Sequence, residues 1–224
     1  MILKYLFIIF LLVFIIKFYI LINKKHENFK VSNKYKDFFS LDIFDNKDIY
    51  LIANNSKLSS ETKEFFKNID YNKSVIVRFN GYKNLIKDYA NGKTDIMIYR
   101  QNRLDFHGYD KKTYNKNVIN VFTLLDKDKK SQEKLNKIKE KDFYILKTDY
   151  LNKLEKDNKS KKTLTTGFSL LYNIKKRKKI NCKKIYLVGF TFHNKNITSF
   201  HDEKVEYDYF KKHFKGEKDI ILLS

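Results

Sequence analysis

The sequence has no proline and no tryptophan, and its 224 residues include a single cysteine, Cys182. One cysteine excludes an intramolecular disulfide framework and a cysteine-based metal cluster. The accompanying excess of Lys, Asn, Ile, Tyr and Phe is typical of an AT-rich genome and indicates no function by itself. The sequence also has no G-x-G-x-x-G motif and no Walker lysine loop, so neither a dinucleotide fingerprint nor an ATP phosphate cradle is indicated.

Acidic residues are scarce relative to basic ones. The chain has 47 Lys and Arg against 26 Asp and Glu, a net charge of +21. Such a chain is attracted to polyanions, whether nucleic acid, anionic lipid or phosphorylated sugars. Because the lysines are spread along the whole length without a zinc-finger or RNA-recognition motif, no specific nucleic-acid partner is predicted. A basic face close to a membrane is favoured instead.

The N-terminal run MILKYLFIIFLLVFIIKFYILI is apolar except for Lys4 and Lys17, and its length matches a bilayer core. A signal peptide would have a shorter apolar region and a small-residue cleavage site. The run therefore predicts an uncleaved single-pass anchor over residues 1–23, followed by a polar stalk or linker over residues 24–46 and a domain over residues 47–224. Lysines after the anchor favour the cytoplasmic face of a bacterial inner membrane.

Short β-branched runs alternate with amphipathic segments downstream of the stalk. Strands are predicted at residues 48–55, 74–80, 94–99, 117–125, 142–146, 183–190 and 219–223, and helices at 59–69, 127–140, 149–156, 165–177 and 205–214. This alternation predicts an α/β fold, a single Rossmann-like, mostly parallel sheet with helices on both faces.

Ligands of such sheets bind beyond the carboxyl ends of the strands. Several predicted strands end in polar residues: Asn54, Asn55 and Ser56; Arg78 and Asn80; Arg100, Gln101 and Asn102; and Thr191 to His193. A single Asn at a strand end usually completes a turn. Two of them at neighbouring strand ends favour ligand contact for Asn54 and Asn80. Arg78 is interpreted as structural, paired with a carboxylate inside the fold.

Two hydroxyls and a glycine, Thr165, Thr166 and Gly167, stand at the start of the helix that contains TTGFSLLYNI. Threonine is an ordinary helix cap. A helix start also presents unpaired N–H groups that can receive an anion, and glycine permits its close approach. Both interpretations can hold together.

Four segments, taken in order, resemble sialyltransferases of the animal and bacterial lipooligosaccharide types. The segments are IYLIANNSKL; VIVRFNGY with GKTDIMIY; TTGFSLLYNIKKRKKINCKKIYLVGFTF; and HDEKVE, which is similar to the family's short H-x4-E motif. The sequence departs from the family at Ala53, where glycine is usual, at Asn55, and at Thr191, where aspartate is common. The segment between His193 and His201 is also shorter than the bacterial lid.

The resemblance implies a GT-A-variant-like fold and an inverting transfer of sialic acid from CMP-sialic acid to a hydroxyl of a glycan or glycolipid acceptor, without metal or cofactor. It implies that His201 is the general base. Glu206 would orient His201, or it would only cap the helix over residues 205–214. The nucleotide would contact Asn54, Asn55, Ser56, Asn80, Asn102 and the Thr165–Gly167 turn, with His193 near the donor phosphate. A eukaryotic member would face the Golgi lumen.

Two alternatives stay open. The chain could use another nucleotide-activated sugar, or it could be an inactive, basic, membrane-tethered binding protein of the same fold. The D-x-D pattern at Asp126 to Asp128 is not interpreted as a metal site, because neighbouring lysines would repel a cation.

Overall fold

The computed structural model describes residues 17, 36–53, 58–79, 93–100, 118–124, 143–148, 154, 162–177, 180–193 and 201–223. The predicted helix over residues 127–140 lies outside these ranges, as does almost all of the helix at 149–156. Within the described ranges, no helix is long and apolar enough to cross a membrane. Apart from Lys17, the anchor over residues 1–23 lies outside them too, and it stays a prediction.

Eight strands form one sheet in which every neighbouring pair is parallel. They are β1 (Lys36–Asp37), β2 (Asp48–Ile52), β3 (Ser74–Phe79), β4 (Ile96–Tyr99), β5 (Ile119–Leu124), β6 (Phe143–Lys147), β7 (Ile185–Val188) and β8 (Ile220–Leu223). Their order across the sheet is β1-β6-β5-β4-β3-β2-β7-β8. The predicted parallel α/β sheet is confirmed.

Three α-helices cover the sheet within the described residues: α1 (Ser60–Lys67), α2 (Thr166–Arg177) and α3 (Glu203–His213). Side chains of a strand alternate between the two faces of a sheet. In β2, Tyr50 and Ile52 share a core cluster with Phe66 of α1. The intervening Leu51 belongs to a second cluster with residues of α2 and α3. The prediction of helices on both faces is therefore confirmed.

The folded unit begins at Lys36, so residues 36–46 belong to it and not to the predicted stalk. Strand β1 pairs with β6 at one edge of the sheet. Two 3₁₀ turns follow, and each buries a phenylalanine, Phe38 and Phe44, whose rings meet edge to face 5.5 Å apart. The domain boundary predicted at residue 47 is corrected to Lys36, because these two rings complete the core.

The strand order reverses at β2. From β2 the chain adds β3, β4, β5 and β6 on one side, whereas β7 and β8 lie on the other side. The carboxyl ends of β2 and β7 therefore flank a topological switch point, where open parallel sheets bind ligands. Gly189, directly after β7, has φ of 69°, a left-handed conformation that strains residues with a side chain. The fold thus predicts a ligand site at the carboxyl ends of β2 and β7.

Candidate active site

Helix α2 begins over the carboxyl ends of β3 and β7. A methyl group at Gly167 would lie 2.7 Å from two ring atoms of Phe190, just after β7, and 3.5 Å from the ring of Phe79, which ends β3. Such a distance to Phe190 is far below van der Waals contact, so a side chain at Gly167 would force the ring to move. Helix-to-sheet packing therefore explains this glycine, and its approach to a nucleotide stays a prediction.

Thr165 is the N-cap of α2. Its Oγ1 accepts a hydrogen bond from the backbone N–H of Phe168 at 3.3 Å, and its carbonyl accepts the backbone N–H of Ser169 at 2.9 Å. Both bonds satisfy helix-start geometry. The predicted capping role of Thr165 is confirmed. Thr166, the first residue of the helix, is buried.

The carboxyl of Glu206, in α3, accepts two hydrogen bonds from Thr165. The backbone N–H of Thr165 donates to Oε1 of Glu206, and the Thr165 hydroxyl donates to Oε2 at 3.0 Å. Glu206 is only 4% exposed. In a capping box, a glutamate of the same helix accepts the N-cap N–H; here a glutamate of another helix does so. Glu206 therefore contributes to the cap of α2, whereas the sequence suggested a cap on its own helix, and its orientation of His201 stays a prediction.

Burial raises the pKa of the Glu206 carboxyl to about 7, although the hydrogen bonds from Thr165 oppose the rise and Glu203 and Asp202 add to it. A carboxyl with a pKa near neutrality changes charge in the physiological range. Glu206 therefore makes the junction between the starts of α2 and α3 sensitive to pH.

His201 lies directly before α3 and forms an isolated parallel bridge with Thr163. Its Nδ1 is 3.2 Å from the Thr163 carbonyl oxygen. A carbonyl can only accept, so this contact requires a proton on Nδ1. The next residue, Asp202, caps α3 by accepting the backbone N–H of Val205 at 3.3 Å. The Thr163 carbonyl thus contacts the imidazole, and the Asp202 cap fixes the backbone next to His201 at the start of α3.

Arg100 brings a guanidinium to the same place. It directly follows β4, and its Nη1 lies 3.5 Å from Nδ1 of His201. A guanidinium can only donate, so this contact requires the lone pair on Nδ1, whereas the Thr163 contact requires the proton there. A single tautomer of His201 makes one of the two hydrogen bonds. A guanidinium suits carboxylate and phosphate groups because its N–H donors can bind two oxygens at once. Arg100 was noted in the sequence as a strand-end residue but was not placed in the predicted site. Its position directly after a parallel strand was the available signal.

The remaining predicted site residues divide into two groups. Asn54, Asn55, Ser56, Asn80 and Asn102 lie outside the described residues, so their nucleotide contacts stay predictions. His193 is described: its Nε2 is 2.9 Å from Oγ1 of Thr191, and the residue lines a cleft beside β8.

Arg78, predicted to be structural, is 1% exposed, and its Nε donates to the carbonyl of Lys93 at 3.3 Å. The burial agrees with a structural role, and the predicted pairing with a carboxylate stays a prediction. Among the described residues, no group of three or more His, Cys, Asp or Glu side chains could hold a metal ion. The D-x-D segment lies outside the described ranges.

No protein-family model matches the chain, and no curated protein matches it either. The resemblance to sialyltransferases therefore rests on the four sequence segments and the functional assignment remains a proposal.

Proposed function

We propose that the chain is an inverting glycosyltransferase that moves sialic acid from CMP-sialic acid to a hydroxyl of a glycan or glycolipid, with His201 as general base. The observation that carries this proposal is the proximity of the His201 imidazole to the Arg100 guanidinium, beside the Thr163 carbonyl, because it places a side chain that can accept a proton next to a cation. The neighbouring Arg100 supports an anionic donor.

In the proposed reaction the acceptor hydroxyl oxygen attacks the anomeric carbon of the sugar. The bond from that carbon to the phosphate oxygen breaks, and CMP leaves with the bonding electron pair. The hydroxyl proton passes to the unprotonated ring nitrogen of His201, and attack opposite the leaving group inverts the anomeric configuration. A positioned base of this kind typically contributes about 10²- to 10⁴-fold in rate.

The hydrogen bonds of Thr165 refine its proposed role. Its hydroxyl donates to Glu206 and accepts from the Phe168 N–H. Thr165 therefore positions the start of α2, and in the proposal the nucleotide is contacted by neighbouring residues and not by the Thr165 hydroxyl. Donor binding in the proposal rests on Asn54, Asn80 and Arg100. A guanidinium beside the base would pair with the sugar carboxylate or the phosphate, both of which are anionic.

The test incubates the purified full chain with CMP-sialic acid and glycan acceptors and measures CMP release and product formation. Transfer that is lost in His201→Ala, while calorimetric CMP affinity is kept, supports the proposal. Turnover with a UDP- or GDP-sugar but not with CMP-sialic acid would favour the other donor class. CMP binding without turnover would favour a binding protein, and a chain that does not bind CMP at all would refute the proposal.

We also propose that residues 1–23 anchor the chain in a membrane as a single span. The apolar run in the sequence supports this placement. Recovery of the full chain in the soluble fraction without detergent would contradict it. Protease digestion of intact vesicles distinguishes the cytoplasmic orientation from the lumenal one.

A further inference from the structure

A cleft of about 540 Å³ lies between α3 and the β8 edge of the sheet. Its lining comes from three segments: Phe190 to His193 after β7; Tyr207, Phe210, Lys211, Phe214, Lys215 and Gly216 in and after α3; and Ile220 and Leu222 of β8. The volume is in the range of small-molecule sites, which span about 300–1,000 Å³. His201, Arg100 and Glu206 do not line it, whereas His193, which the sequence places near the donor phosphate, does.

The floor of the cleft is aromatic and aliphatic. The α3 residues Tyr207, Phe210, Lys211 and Phe214 recur at the spacing of one helix face. Phe210 stacks on Phe192 with ring centroids 4.1 Å apart. On the β8 side, Leu222 is 46% exposed, and among the described residues it is the large hydrophobic side chain that is exposed. Together, the aromatic floor and Leu222 give the cleft an apolar wall on two sides, the kind of lining that small-molecule sites have.

The charges of the cleft all have one sign. Its charged side chains are Lys211 and Lys215, and none of the described residues that line it is acidic. The ammonium of Lys211 lies 6.0 Å from the centre of the Tyr207 ring. Elsewhere on α3, Lys204 is paired with Asp208 in an exposed salt bridge. The cleft thus combines an apolar wall with two cations that face no carboxylate of the lining.

We propose that this cleft binds an anionic lipid: its alkyl chain lies on the Phe192–Phe210 floor and against Leu222, and its phosphate lies between Lys211 and Lys215. Free phosphate or a sugar phosphate would leave the apolar wall uncovered, and an uncharged apolar ligand would leave the two lysines without an anion. Lipid binding goes beyond the proposed transfer reaction and does not depend on it.

The experiment uses the full chain in neutral nanodiscs and a diazirine-bearing decyl phosphate as photolabel, with labelled peptides identified by mass spectrometry. Locating the label separates the cleft from the apolar N-terminus, which can also take up lipid. We expect labelling within residues 190–193 and 207–222. Unlabelled decyl phosphate should compete for it, whereas inorganic phosphate and decyl glucoside should not.

Matched variants separate the two parts of the cleft. Replacing Lys211 and Lys215 together by Gln should weaken competition by decyl phosphate about fivefold for each lysine, since a lysine near an anionic lipid contributes about 1 kcal/mol. The control replaces Lys212 and Lys218, two exposed lysines outside the lining, and should change nothing. Leu222→Ser should reduce the gain in affinity with alkyl chain length, which is set by burial of CH₂ groups.

Three results would overturn the proposal. Labelling confined to the N-terminal apolar run would place the lipid elsewhere. Equal losses in the two double-lysine variants would show a general effect of net charge. Labelling of the cleft that free phosphate displaces as well as decyl phosphate does would show an anion site without a lipid chain. Each readout is independent of transfer activity, so failure of the transferase proposal leaves this one intact.

Discussion

The starts of α1 and α2 are both capped by a hydroxyl, but by different means. At α1, Ser59 accepts the backbone N–H of Thr62 at 3.1 Å and donates to the Thr62 hydroxyl at 3.1 Å. Every partner lies within the same turn. At α2, Thr165 has a local bond from the Phe168 N–H and a second set of bonds to Glu206 of α3.

The difference determines what each cap can do. A local cap stabilises its own helix by about 1 kcal/mol. The cap of α2 joins two helices, and the carboxyl that joins them has a pKa of about 7. The α2 cap also follows closely on Thr163, whose carbonyl contacts the candidate base His201. Activity, stability and pH should therefore be coupled at the start of α2 and independent at the start of α1.

The largest expected effect is that of His201→Ala. Loss of the base should lower kcat of sialic acid transfer by about 10²- to 10⁴-fold, with CMP affinity nearly unchanged because the base contacts the acceptor. Steady-state kinetics and calorimetry measure the two quantities. Ser59→Ala, at the start of α1, is the control and should keep normal turnover. Near-normal turnover in His201→Ala would place the base elsewhere, with His193 the next candidate.

The second effect is a pH dependence of stability from Glu206. Its pKa rises from 4.5 in the unfolded chain to about 7 in the fold, so the folded state binds the proton more tightly. The contribution of Glu206 to stability is complete below about pH 4.5 and is lost as pH rises through 7, a change of about 3 kcal/mol. Urea denaturation across this range should show a smaller fall with pH in Glu206→Gln than in the wild type.

Glu64→Gln on the exposed surface of α1 is the matched control for this experiment. Glu64 forms a salt bridge with Lys67, and both side chains are exposed. Its substitution should leave the pH profile of the wild type unchanged. Parallel profiles for wild type and Glu206→Gln would show that the carboxyl at the α2 start does not titrate in this window.

Local patterns explain how much of this structure could be predicted from the sequence. The strands β2 and β3 were found because they are unbroken apolar runs, and α1 because Ser59 precedes an acidic first turn. Such signals lie within a few residues of one another. The parallel sheet followed from their alternation.

The contacts that assemble the site could not be predicted in the same way. Glu206 and Thr165 are 41 residues apart, and Arg100 and His201 are 101 apart; no periodicity connects such pairs. Strand β1 has two residues, too few to form a pattern, and its membership of the sheet depends on pairing with β6. Only the rule for carboxyl ends of strands pointed to Arg100 in advance.

The third effect tests how tightly α2 is packed on the sheet. In Gly167→Ala the new methyl group meets the Phe190 ring at 2.7 Å, and overpacking of this kind costs about 1–3 kcal/mol. The better helix propensity of alanine returns up to about 1 kcal/mol. Denaturation should therefore show a net loss of up to about 2 kcal/mol when the full propensity gain is realised. Phe190→Leu in the same chain should relieve part of it, and strict additivity of the two changes would contradict the clash.

The smallest effect is that of Ser59→Ala. Loss of the local bond to the Thr62 N–H should cost about 1 kcal/mol. The side-chain bonds of Ser59 to Thr62 lie within the first turn of α1. The loss should be nearly the same at pH 5 and pH 8, since the pKa of the Glu61 carboxyl, which hydrogen-bonds Ser59, is lowered by its hydrogen bonds and lies below this range. It should also add to the loss in Glu206→Gln within about 0.5 kcal/mol, as expected for sites that share no partner. Denaturation of the single and double variants at both pH values measures this. A pH-dependent or non-additive loss would show that the start of α1, like that of α2, is coupled to the junction with α3.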